Sequence, residues 1–156
     1  MSRPSETDAL WGRLRPSSLA AVAAVDAERL ETERARVSAR VARAITAPVY
    51  SVRHRFEAWE GLGRILESGP GPDESYAFSA YENDLDSRDG LEGVMEALPD
   101  AVRAEFSGLL AVLDARFTAA TEQDATGSLD PWLRAGRRRA PEGHFWWWRV
   151  PKKAPW

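Results

Sequence analysis

Between Pro48 and the run Gly69-Pro70-Gly71-Pro72, the residues Val52, Phe56, Trp59, Leu62 and Leu66 recur at spacings of 4, 3, 3 and 4. That period matches one face of an α-helix and no face of a strand. A helix is predicted over 52–68, stopped by the Gly-Pro-Gly-Pro run. An isolated helix of this length is marginal in water, so its apolar face must be buried against other elements. A second stripe follows Pro99, which suits the first position of a helix running to about Thr121. It carries Val102, Phe106, Leu109, Leu113 and Phe117. Phe56, Trp59, Leu62, Leu66, Phe106, Leu109, Leu113 and Phe117 are the expected core.

Two more helices complete the expectation. Pro16 and Pro48 bracket a segment in which Ser17 or Ser18 would cap a helix reaching about Thr46. Leu19, Ala23, Leu30, Val37, Val41 and Ala44 form its apolar stripe, and Arg29, Arg36, Arg40 and Arg43 a cationic one beside it. Asp86 suits the N-cap of a helix from about Ser87 to Leu98, with Asp89 near its third position. Residues 73–85 read as an ordered loop or short helix, although Tyr76 and Phe78 would permit a short strand. The fold class is therefore all-α: a single-domain bundle of about four main helices over 17–131. A short arm or helix over 1–16 precedes it, and a C-terminal extension over 132–156 follows.

That extension differs sharply from the rest. It holds five of the seven tryptophans, and seven cations against the single carboxylate of Glu142. Its net charge is +6 in a chain whose total is −3, which leaves −9 on the preceding residues. Pro141 and Pro151 bracket a stretch too short for an independent helix, and only one helical turn is expected near Trp132 to Arg134. Adjacent exposed tryptophans promote aggregation, so at least two of Trp146, Trp147 and Trp148 are expected to pack on the helical body. The alternative role for the extension is docking on a partner. The candidate partner-binding residues are Arg137, Arg138, Arg139, Trp146, Trp147, Trp148 and Arg149, with Asp84 and Asp86 as an acidic counterpart.

Catalytic and metal chemistry find little to work with. Cys is absent, which removes thiolate ligands, disulfides and Cys nucleophiles. Of the two histidines, His54 lies between Arg53 and Arg55, and its spacing to Glu57 reverses the Glu-x-x-His order of a di-iron bundle. Glu82, Asp84, Asp86, Asp89 and Glu92 fail the calcium-loop pattern: counting from Asp84, Asp89 stands where Gly is required and Met95 where Glu is required. Neither a phosphate-binding glycine loop nor a serine elbow occurs. No cofactor and no metal are expected.

No run of apolar residues is long enough to span a membrane, and the first residues lack the apolar core of a secretory signal. A cytoplasmic protein is expected. The functional expectation is a non-enzymatic protein–protein interaction protein, a small acidic helical binder of the immunity, antitoxin or adaptor kind. The alternative is a nucleic-acid-associated accessory protein using the Arg- and Trp-rich extension and the Arg29, Arg36, Arg40 and Arg43 stripe.

Overall fold

A computed structural model describes residues 5–127 and 129–156. They are mostly helical, as the all-α class requires. In chain order the elements are α1 (Glu6–Trp11), α2 (Pro16–Arg34), α3 (Ala39–Ala44), α4 (Val52–Ser68), α5 (Phe78–Ala97) and α6 (Asp100–Ala120). Then come β1 (Thr121–Gln123), α7 (Asp130–Arg139), a 3-10 turn (Phe145–Trp148) and β2 (Arg149–Pro151).

The helix α4 is central and packs against α5, α6, α1 and α2. Its apolar face is the one its spacing predicts: Val52, Phe56, Trp59, Leu62 and Leu66 are all buried. Phe106, Leu109, Leu113 and Phe117 of α6 meet it. Phe56 and Phe106 lie 6.0 Å apart, and Trp59 and Phe117 4.6 Å apart. Ser51 caps α4 by accepting the His54 N–H, and Gly69 ends it at a φ of 77°, a left-handed conformation that glycine adopts without a Cβ clash. The short α1 is fixed by a capping box between Ser5 and Asp8; it places Trp11 against Phe56 and Phe106 and buries Leu10 in the same core.

Three element boundaries differ from the sequence expectation. The helix expected from Ser18 to Thr46 ends at Arg34 and is followed by the separate, short α3. Ser38 caps α3 through the Val41 N–H, and Arg34 donates its Nε–H and an Nη–H to the Ile45 carbonyl at 3.0 and 2.6 Å. A serine able to cap and an arginine able to clamp thus favour a helical hairpin over a continuous rod. The apolar stripe drawn on this helix is also displaced. Leu19, Val37 and Val41 are exposed, whereas Ser18 and Val22 are buried. At its start, Glu105 of α6 accepts the Arg15 backbone N–H and the Ser18 hydroxyl, so the helix is capped from another helix and not by Ser17 or Ser18.

The second difference lies in α5, which begins at Phe78 and not near Ser87. Asp86 is therefore an interior helical residue and not an N-cap. Tyr81, Leu85, Arg88, Leu91 and Val94 form the buried face. Tyr76 and Phe78 alternate like a strand, but the helical period that starts at Tyr81 prevails. The third difference is α7, a helix of ten residues where one turn was expected.

Candidate functional site

The C-terminal residues are held to the body by a connected set of polar groups. The indole N–H of Trp146 donates to Oδ1 of Asp89 at 2.8 Å, and that of Trp147 to both Asp89 oxygens at 3.0 Å. Nδ1 of His144 lies 2.9 Å from the same Oδ1. Trp146 and Trp147 are buried, each about 1% exposed. The Trp147 ring lies against Gly136 of α7, where a Cβ would overlap it. One carboxylate on α5 thus gathers three residues of the extension.

Below the tryptophans lies a second network. The Arg88 guanidinium grips Asp114 of α6 bidentately, at 2.9 Å through Nε and 2.9 Å through an Nη, and donates to Glu92 at 2.7 Å. Trp59 donates its indole N–H to the same Asp114 at 2.9 Å. Burial alone would depress the Arg88 charge, but the Asp114 and Glu92 carboxylates more than offset it and raise the guanidinium's pKa. The guanidinium Cζ lies 4.3 Å from the Trp146 ring centre. Asp114, Arg88, Trp146 and Asp89 therefore form a continuous path from α6 through α5 to the extension.

β2 adds backbone pairing. It runs antiparallel to β1 with Thr121 opposite Pro151 and Gln123 opposite Arg149. Arg149 donates to the Thr121 hydroxyl at 2.8 Å and to the Thr121 carbonyl at 2.9 Å. Tyr81 donates its hydroxyl to the Arg149 carbonyl at 2.6 Å. Arg137 of α7 donates to the Trp147 carbonyl at 2.8 Å and pairs with Asp124 at 2.7 Å.

The residues singled out from the sequence therefore divide in two. Trp146, Trp147, Arg137 and Arg149 face inward and join the extension to the body. Asp84 is also engaged internally, accepting the Tyr76 hydroxyl at 2.6 Å; burial pushes its carboxyl up to about 6, and the Tyr76 bond partly opposes the rise. Asp86 is exposed on α5, with its carboxyl raised by partial burial and then by the Asp89 charge. Arg138, Arg139 and Trp148 remain outward-facing. The Arg29, Arg36, Arg40 and Arg43 stripe does not persist as one line, because the chain turns after Arg34. Arg29 stays on α2 and donates to the Tyr50 carbonyl at 3.2 Å, while Arg40 and Arg43 sit on α3.

An aromatic surface emerges that the sequence did not single out. Trp132 of α7 is 66% exposed, and its ring lies 5.7 Å from Phe78 at the start of α5. Phe78 also meets Trp156 edge-on at 5.0 Å, and Trp156 lies 5.7 Å from Tyr81. These four rings come from the chain's middle and its end, so no local pattern joins them. Arg88 and Asp114 carried a weak signal: a cation on the apolar period of α5 requires a buried carboxylate partner.

A cavity of about 380 Å³ beside the tryptophan anchor is lined by Asp89, Glu92, Gly93, Glu96, Pro141, Glu142, Gly143 and His144. Its lining has carboxylates and a histidine but no hydroxyl or amine nucleophile. Asp89 is already engaged by the indoles, so the His144–Asp89 pair reads as part of the anchor. Among the described residues no three His, Asp or Glu side chains are placed to hold a metal ion, and no helix is long and apolar enough to cross a membrane. Comparison with protein-family models, with curated proteins and with solved structures finds no match.

Proposed function

We propose that the protein is a non-enzymatic interaction protein of the cytoplasm that docks on an acidic protein surface through the outer side of α7. The observation that carries this reading is Trp132. It is the most exposed of the large aromatic side chains, yet its ring is braced by Phe78 and, through Phe78, by Trp156. A preordered, uncovered aromatic group on a helix that also exposes arginines has the composition of an interface hot spot. Arg138 and Arg139 supply the cations, so the complementary partner is acidic. The inward half of the extension keeps this face rigid, which lowers the entropic cost of binding. In this reading the partner-binding residues are Trp132, Arg138, Arg139 and Trp156. Trp146, Trp147, Arg137 and Arg149 position them.

The test is affinity capture from the source cells with the wild-type chain and with Trp132→Ala and Arg138→Glu variants, after nuclease treatment. Circular dichroism would establish that each variant is folded. The reading expects a protein partner that survives nuclease and is lost from both variants. Capture that disappears with nuclease, and falls steeply with salt, would replace it with the nucleic-acid reading. Identical partners for the wild type and both variants would rule out this face.

A further inference from the structure

Arg55 is a half-buried cation without a counterion. It projects from α4 onto Gly90 of α5, where a Cβ would overlap the guanidinium, so the glycine is what admits it. The Tyr50 ring covers it from another side, 5.4 Å from Cζ. Its Nε–H is buried and reaches no acceptor. Among the described residues the guanidinium makes no hydrogen bond and no ion pair. Its surroundings do not compensate: burial and then the Arg29 charge hold it below the ordinary guanidinium range, and Asp86 helps only from a distance. Arg88, in contrast, is met by two carboxylates, Glu92 of α5 and Asp114 of α6.

Buried charges are normally paired, because an unpaired one loses its hydration for nothing. What Arg55 lacks is an oxyanion. A second guanidinium is near enough for its charge to act on Arg55: Arg29, which donates to the Tyr50 carbonyl at 3.2 Å. Two guanidiniums brought together from α2 and α4 repel each other until an anion bridges them. A carboxylate is satisfied by one guanidinium fork, whereas a phosphate carries about −1.5 to −2 charge and enough oxygens for two. Tyr50 and Val49, at 52% and 70% exposure, leave the approach open, and the His54 ring lies 5.5 Å from Tyr50.

We propose that Arg29 and Arg55, both in contact with Tyr50, form a binding site for a phosphate group, either free phosphate or the phosphate of a small ligand. The site is separate from the α7 face and does not depend on its role. The test uses the full chain, ¹⁵N-labelled, with the Arg Nε–H resonances followed by NMR. Sodium phosphate and phenyl phosphate are titrated separately at an ionic strength held constant with sodium chloride. The expected result is a saturable shift of the Arg55 Nε–H signal. Arg55→Lys, which keeps the charge but loses the planar fork, and Arg29→Gln, at a partly exposed position, should each weaken binding about tenfold or more. Equal affinities for the two anions assign free phosphate. Tighter binding of phenyl phosphate assigns a ligand whose ring lies along Tyr50. Absence of a saturable shift with either anion would overturn the proposal, as would a saturable shift that survives unchanged in Arg29→Gln and is matched by the remaining arginines of Arg55→Lys.

Discussion

Gly136 and Trp147 are in direct contact: the indole ring lies where the side chain of any other residue at 136 would be. The joint between α7 and the end of the chain therefore depends on a missing Cβ. Gly136→Ala should destabilise the protein by about 1–3 kcal/mol, because overpacking outweighs the ~1 kcal/mol that alanine contributes to a helix interior. Gly93→Ala is the control. Nothing lies within 4 Å of a Cβ there, so it should be neutral or stabilising by up to about 1 kcal/mol. Denaturant melts of the two variants give opposite signs if the Gly136 contact is formed.

The two classes of tryptophan should separate by stability. Trp147→Ala removes a buried ring and its bifurcated bond to Asp89, and should cost about 3–5 kcal/mol. Trp132→Ala removes an exposed ring with one aromatic neighbour and should cost about 1 kcal/mol or less. Equal losses in chemical denaturation would mean that the inward and outward assignments are wrong. Truncation after Ala140 deletes Trp146, Trp147 and β2 together and should lower stability at least as much as Trp147→Ala.

The apolar stripes of α4 and α6 are legible in the sequence because each helix buries one face against the other, and period follows directly from burial. The α2–α3 segment is misread because an uninterrupted helical pattern says nothing of a local competitor. Ser38 and Arg34 supply one, and the Val37 and Val41 side chains gain no partner that would keep the helix straight. Asp86 looks like a cap because acidic residues cluster at helix starts. In α5 the carboxylates have other work: Asp84 meets Tyr76, Asp89 meets the tryptophans, and Glu92 meets Arg88. Those pairings span up to 58 residues of sequence, and no spacing rule reaches that far. Trp132 and Phe78 likewise come together from distant parts of the chain, so the aromatic face is visible only after folding.

Asp84 gives a signed pH dependence. Its folded pKa is about 6, above the ordinary 3.8, because burial disfavours the carboxylate. The folded state thus holds this proton more tightly than the unfolded state. Its contribution is fully present below about pH 4 and is lost as pH rises through 6, an effect on the order of 2–3 kcal/mol. Asp84→Asn removes the titration. The difference in stability between variant and wild type should shift in favour of the variant between pH 4 and pH 7. Carboxylates with lowered pKa, such as Glu67 paired with Arg116, act in the opposite sense but cancel in that difference. A difference independent of pH would contradict the burial of Asp84.

The extension is locked to the body through Asp89, and its other tryptophans face out. Hydrogen exchange of the indole N–H groups, resolved by ¹H–¹⁵N NMR for the chain's seven tryptophans, tests that most directly. The indoles of Trp146 and Trp147, bonded to Asp89, should exchange as slowly as that of Trp59, bonded to Asp114, while Trp132 exchanges at a rate near that of free indole. Exchange of Trp146 and Trp147 as fast as Trp132 would contradict it.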